Sequence, residues 1–366
     1  MASYLENEFN NKTVLITGHT GFKGSWLSIW LDQLGANVIG ISLESPSKPS
    51  HFGVTHLTDK LIDLRIDIRN SQLIKEMVNK YQPDYVFHLA AQALVKKSYS
   101  DPLETWTTNV MGTLNVLDAL RDIKNRCAAV IITSDKCYDN VEWVWGYKET
   151  DVLGGPDPYS ASKGAAELAV KSYIKSYFHS DSLVRIASAR AGNVIGGGDW
   201  ALDRIIPDCV KAWANNEGVK LRNPHSTRPW QHVLEPLSGY LNLAINLYHQ
   251  SNFHGESFNF GPKALHNHSV QDLVIEMSKH WNQVRWEDIS SDPKGPYESG
   301  LLKLNCDKAL FFMHWHSVLD FNQTVRFTAE WYRNFYASKK GISETTINQI
   351  LEYTEKAKTQ GLKWAI

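Results

Sequence analysis

Residues 13–24 read Thr13-Val14-Leu15-Ile16-Thr17-Gly18-His19-Thr20-Gly21-Phe22-Lys23-Gly24. The first five form a short β-branched and aliphatic run, the pattern of a buried strand. Three glycines at three-residue spacing follow. From Ser25 the apolar residues Trp26, Ile29, Trp30 and Leu34 recur at helical spacing until Gly35 stops them. Strand, glycine turn and helix in this order build a dinucleotide-phosphate site. The glycines let the backbone turn tightly and approach a pyrophosphate, which the helix N-terminus then stabilises. The spacing is GxxGxxG, and a glycine-rich connector alone would need no such regularity. The expected contacts are Gly18, Thr20, Gly21, Phe22, Lys23 and Gly24.

Outward from this unit, strand and helix patterns alternate. Strands are expected over 37–43, 61–66, 85–89, 128–133 and 183–189, and helices over 71–81, 103–121 and 158–177. Such alternation predicts an α/β fold, a Rossmann-type doubly wound parallel sheet covered on both faces. Beyond Gly192 the pattern loosens, with Gly196-Gly197-Gly198, Pro207, Pro224 and Pro229 separating shorter elements and helices expected over 270–281 and 324–335. The expected organisation is a dinucleotide-binding domain over 1–192, with part of about 230–262 returning to it. Residues 193–366 mainly form a smaller α+β substrate domain.

Composition narrows the function classes. Among 366 residues, Lys+Arg 38 against Asp+Glu 39 leaves no charge excess to attract nucleic acid or an anionic membrane. Cys127, Cys137, Cys209 and Cys306 show no CxxC pairing and no His cluster at metal spacing, so no metal site is expected and a reducing compartment is. The first residues lack the basic start and apolar run of a signal peptide, and no apolar run approaches the roughly 20 residues that span a bilayer. A cytoplasmic protein is expected. The 13 tryptophans are read first as packing, although indole faces also bind sugars.

At the end of the second strand, where an acid normally takes the adenosine ribose hydroxyls, stands Ser42, with Glu44 two residues on. Glu44 within reach, and no arginine closely following this strand, favour NAD over NADP. Asp67-Ile68 suits an adenine contact, and equally a solvated acid before a helix. Leu89, Ala90 and Ala91 end the fourth strand with small residues over which a flat cofactor can pass. Tyr159 and Lys163, four apart on one helical face, suit acid–base chemistry. A phenol titrates near pH 10 and needs neighbouring positive charge to act as a base at neutral pH. By itself YxxxK is an ordinary surface pair. Its place downstream of Ser134, at a strand end, favours the catalytic reading.

Taken together, TGHTGFKG, HLAAQ, TNVMGT, TSDKCYDN, YSASK and ARAGNVIGGGDW resemble the extended short-chain dehydrogenase/reductases that act on nucleotide sugars. EWVWGY, NVIGGGDW and RPWQHVLEP narrow the likeness to the CDP-glucose 4,6-dehydratase branch. That resemblance implies hydride transfer from glucose C4 to NAD and back to C6, with loss of water between, and a role in deoxysugar supply for lipopolysaccharide O-antigen. It implies Tyr159 as base, Lys163 as its tuner, Ser134 as orienter and Asp135 as acid for the leaving hydroxyl. Lys136 stands where the dTDP-glucose branch has a glutamate base, so it serves the C5 side either as a base or as an electrostatic stabiliser. The resemblance further assigns Thr108 to the cofactor and Gln92, Asn193 and Arg228 to the substrate, with Arg228 on the pyrophosphate. Arg204 and Arg222 are candidates for phosphate or pyrimidine contacts, or plain loop arginines. The family's late Arg-Tyr motif has no counterpart near Pro296-Tyr297-Glu298. A homodimer through helices 103–121 and 158–177 is implied. Another nucleotide-sugar 4,6-dehydratase, a 4-epimerase, or a non-catalytic NAD-sensing protein are the alternatives, and the Asp135-Lys136 and Tyr159-Lys163 sets weigh against the last two.

Overall fold

The computed structural model describes residues 3–263, 267–282, 284–290 and 301–366; the segment around Pro296 lies outside them. Seven strands form one parallel sheet: β1 Thr13–Thr17, β2 Asn37–Ser42, β3 Ile62–Arg65, β4 Tyr85–His88, β5 Cys127–Ile132, β6 Val184–Ala191 and β7 Ser257–Phe260. Their spatial order is β7-β6-β5-β4-β1-β2-β3. The winding direction reverses between β1 and β4, and in open α/β sheets ligands bind outside the carboxyl ends of the strands at that point. Pairing of Thr17 with both Ile41 and His88 sets the ends of three strands level there.

The strands form because their residues are apolar on both faces, the signature of a sheet covered twice. All six residues of β5 are buried. On one face pack α2 Ser71–Tyr81, α3 Gly112–Leu120 and α4 Pro158–Tyr177, around Leu15, Val86, Ala129 and Ile186. On the other pack α1 Phe22–Gln33, α5 Leu234–His249, α6 Phe321–Ser338 and α7 Ile342–Thr359. That second core absorbs most of the tryptophan: Trp26, Trp30, Trp315, Trp331 and Trp364 are fully buried. Trp143 and Trp145 stay exposed. Among the described residues, no helix is long and apolar enough to cross a membrane.

Two differences from expectation bear on the site. The helix that follows β1 begins at Phe22, not Ser25, because Gly21 is its N-cap. The helix expected over 103–121 is broken into Pro102–Trp106, a π-helical turn over Thr107–Met111, and α3. Thr107 bonds back to the Leu103 carbonyl and Thr113 to the Asn109 carbonyl, a habit of threonine that bends helices. The wide turn points Asn109 inward, where its amide joins the Gln92 backbone to the Ser162 hydroxyl of α4.

Candidate active site

Gly18 follows β1 with φ +81°, and a Cβ there would lie 2.8 Å from the Ala90 backbone nitrogen. A Cβ on Gly24 would lie 2.1 Å from the Gly18 carbonyl oxygen. These two positions therefore require glycine, one for its dihedral and both for close approach. Thr20 Oγ1 ties the loop to β2 through the Ser42 hydroxyl at 2.7 Å and the Leu43 carbonyl at 3.1 Å. The result is a side-chain-free cradle before the N-terminus of a 12-residue helix, which suits a pyrophosphate. His19, unremarked in the sequence reading, is fully buried. Its Nε2 bonds Asp63 at 2.9 Å and its ring fills the space Gly40 leaves open.

At the ribose end of this cradle Ser42, not a carboxylate, terminates β2, and the Glu44 side chain is largely exposed. No arginine closely follows β2 in the sequence, and one arrives from the neighbouring strand. Arg65 pairs in register with Ser42 from β3 and donates to the Leu43 carbonyl at 2.9 Å. Its guanidinium is engaged by Asp63 at 2.8 Å, with Glu44 at 3.8 Å and the Phe52 ring beneath. Arg65 is thus neutralised where a 2′-phosphate would need a cation, consistent with NAD. The Asp67 carboxylate is taken by Arg69, whose hydrogen bonds lower its pKa. Ile68 is buried against Gly112. Leu89, Ala90 and Ala91 pass the glycine loop half-buried, and Thr108 sits half-buried in the π turn. The Gln92 amide bonds locally, to Leu94 and Thr105.

The catalytic candidates converge. β5 delivers Ser134, and Asp135–Cys137 form a 3-10 turn in which the Lys136 N–H donates to Ser134 Oγ. Opposite, α4 starts at Pro158 under an Asp157 cap, and Tyr159 and Lys163 are both buried. Gly164 lets helix and turn meet: a Cβ there would stand 3.2 Å from the Cys137 carbonyl oxygen. Burial pushes the Tyr159 phenol up to about 12, while Ser134 hydrogen bonding and the Arg204 charge pull the other way. Burial pulls the Lys163 ammonium down to about 8. Lys23 falls to about 8 as well, burial opposed by Asp135 and reinforced by Arg204 and Lys163. This places Lys23 electrostatically among the catalytic candidates.

Asp135 is held on two sides. Ser134 Oγ donates to its Oδ1 at 2.9 Å and Asn193 Nδ2 to its Oδ2 at 3.2 Å. Gly192 makes the notch: a Cβ there would fall 1.8 Å from Asp135 Oδ2. Lys136 is half-buried in the same turn. Beneath the set, Glu167, one turn beyond Lys163, pairs with Arg190 through two bonds of 2.9 Å and also accepts from Thr133 and Ser188. Arg190 continues to the Tyr138 hydroxyl at 2.7 Å. This network braces helix, strand end and turn against one another.

From the second half, Arg204 is paired with Asp199 at 2.6 Å and its charge acts on Tyr159. The preceding glycines are compressed, not loose. Cβ atoms at Gly196, Gly197 and Gly198 would strike Val233, Trp331 and His51, and Trp26 Nε1 bonds the Gly197 carbonyl. Arg228 is half-buried and donates to the Thr227 carbonyl. Arg222 acts on Asp208, on the helix over Ile205–Ala214. A pocket opens from Asp135, Gly192 and Asn193 toward Gln231, Lys263 and Lys303. Among the described residues no His, Cys, Asp or Glu cluster suits a metal, and the four cysteines are free.

Residues 15–328 match the family model described as GDP-mannose 4,6 dehydratase. The CDP-glucose 4,6-dehydratase of Salmonella typhimurium is 45% identical over 333 residues, 90% of this chain and 92% of that protein. The CDP-paratose 2-epimerase of Salmonella typhi is 26% identical, over 74% of this chain and 84% of its own length. Among solved structures, a UDP-glucose 4-epimerase from Stenotrophomonas maltophila with bound NAD superposes with a TM-score of 0.78 at 20% identity, over 90% of this chain and all of that one.

Proposed function

The chain belongs to the GDP-mannose 4,6-dehydratase family, and on that premise we propose that it converts CDP-glucose into CDP-4-keto-6-deoxyglucose and water. It is an NAD-dependent carbon–oxygen lyase. The substrate assignment rests on 45% identity along nine-tenths of the chain. The observation that carries the chemistry is Asp135, seated in the Gly192 notch, with its charge acting on Tyr159.

NAD held along Gly18, Thr20, Gly21 and Gly24, when bound, supplies the hydride acceptor for C4 and the donor for C6. Tyr159 takes the proton of the C4 hydroxyl, with Ser134 holding the same oxygen. The Lys163 ammonium, one helical turn on, lowers the cost of a phenolate whose resting pKa is about 12. The 4-ketone acidifies the C5 proton, and Lys136 acts on that side, as base or as cation beside the enolate. Asp135 delivers a proton to the departing C6 hydroxyl. A 4-epimerase would have no use for an acid so held. Arg228, Arg204 and Arg222 serve the pyrophosphate and pyrimidine end, and Lys263 and Lys303 bring positive charge to the pocket that Asp135 lines.

The chain works in the cytoplasm as a homodimer. Leu103, Trp106, Met111 and Leu168 are exposed along the segments over 102–120 and 158–177, a surface that suits pairing with a second copy. Incubation with NAD and CDP-, dTDP-, UDP- or GDP-glucose, followed by alkali development of the 4-keto-6-deoxy chromophore, tests the assignment. Product from CDP-glucose without net NADH release is expected. Turnover of dTDP-glucose alone would overturn it.

A further inference from the structure

Gln231 lies in the pocket wall beside Asp135, Gly192 and Asn193, 1% exposed. Its Nε2 donates to the Gly192 carbonyl at 2.8 Å and to the Phe260 carbonyl at 3.0 Å. Both amide hydrogens are therefore spent on groups that only accept. Reversing the amide would set its oxygen against two carbonyl oxygens, so the orientation is fixed by chemistry. Its backbone is fixed too: the N–H donates to the Asn193 carbonyl at 3.2 Å, and Gln231 and His232 pair with Val194 and Ile195. What is left is Oε1, buried and without a hydrogen-bond partner among the described residues. A buried acceptor on a rigid mount in the wall of a substrate pocket is complementary to a donor that arrives with the ligand.

We propose that Gln231 is a substrate-recognition residue whose amide oxygen accepts a hydrogen bond from the C2 or C3 hydroxyl of the hexosyl ring. The inference rests on the nucleotide-sugar reading above. Lys263 and Lys303 on the same pocket suit the phosphates, whereas Gln231 shares its wall with the Asp135 end, where the sugar reacts. There the C4 hydroxyl belongs to Tyr159 and the C6 hydroxyl to Asp135. The hydroxyls that survive the reaction, at C2 and C3, remain for an acceptor that takes no part in it. By holding the Gly192 carbonyl, Gln231 also couples sugar recognition to the notch that seats Asp135.

The test crosses substrate with protein. Wild type and Gln231→Met are assayed with CDP-glucose, CDP-2-deoxyglucose and CDP-3-deoxyglucose, with thermal unfolding followed in parallel. A site built to bond a hydroxyl rejects the analogue lacking it, so wild type should lose at least about 100-fold in kcat/KM on one deoxy sugar. Gln231→Met should be weakened on CDP-glucose and treat it and that analogue alike, within about threefold. A residue that only positioned Asp135 would slow all three substrates equally in the variant and keep the wild-type discrimination. That result overturns the proposal. So does a wild type indifferent to both deoxy sugars, which decides the matter even if the variant fails to fold. If wild type is inert on CDP-glucose but active on another nucleotide glucose, the CDP assignment fails, and the same series on that sugar still decides Gln231.

Discussion

Replacing Gly192 by alanine tests whether the position of Asp135 matters for chemistry. The added Cβ would fall 1.8 Å from Asp135 Oδ2 and 2.0 Å from its Cγ, against an ordinary contact of 3.4 Å or more. Gly192 has no positive φ, so alanine itself is unstrained and the clash is the whole perturbation. The carboxylate must move by roughly 1.5 Å and give up its bonds from Ser134 and Asn193. It moves toward the pocket, where water replaces those donors, so the fold should lose no more than about 3 kcal/mol. Catalysis should suffer far more. A misplacement of about 1 Å costs on the order of 10²-fold, and loss of a general acid costs about 10²–10⁴-fold. The kcat for 4-keto-6-deoxy product should therefore fall by about 10²–10⁴ while the protein still unfolds cooperatively. Gly192→Ala combined with Asp135→Asn should be no slower than the slower single variant, because both remove the same function. A Gly192→Ala enzyme within about tenfold of wild type, or a double variant in which the losses multiply, would refute this account of Asp135.

With Lys163 pulled down to about 8 by burial, kcat/KM should fall as pH rises through about 8, when the ammonium beside Tyr159 discharges. The same shift makes a stability prediction: between about 8 and the unfolded value of 10.5 the unfolded chain binds more protons, so stability should rise with pH across that window. Lys163→Met should reduce that slope, and Lys23, which shares the shift, should preserve the rest. Glu167→Gln removes the carboxylate charge and leaves the Arg190 guanidinium buried without a counter-ion, both side chains being 3% exposed; chemical denaturation should show a loss of about 3–5 kcal/mol. Lys136→Met should suppress solvent deuterium exchange at C5, and undiminished exchange would remove Lys136 from that step.

What the sequence made legible was local. Thr13–Thr17 followed by Gly18, Gly21 and Gly24 announces strand, turn and helix because each piece is decided by its own residues. Tyr159 and Lys163 are visible as a pair because helical spacing brings them onto one face. Facts that depend on register between distant strands were hidden. Arg65 reaches the end of β2 only because Ser42 pairs with it across 23 residues, and His19 finds Asp63 by the same crossing. The three glycines at 196–198 looked like a loosened chain and are instead places where Val233, Trp331 and His51 press against backbone. The Gln92 bonds to Leu94 and Thr105 depend on the turn it occupies, which residue spacing does not announce. Gly192 and Gln231 carried no signal of their own; their meaning is the space one leaves and the single acceptor the other keeps.

The central claim is dehydration with hydride moved within one substrate molecule, and isotope placement tests it most directly. CDP-glucose labelled with deuterium at C4 should give CDP-4-keto-6-deoxyglucose with that deuterium at C6, and a run in D₂O should place solvent deuterium at C5. Deuterium lost to solvent or appearing in free NADH, or a C4 epimer retaining its C6 hydroxyl, would contradict the account.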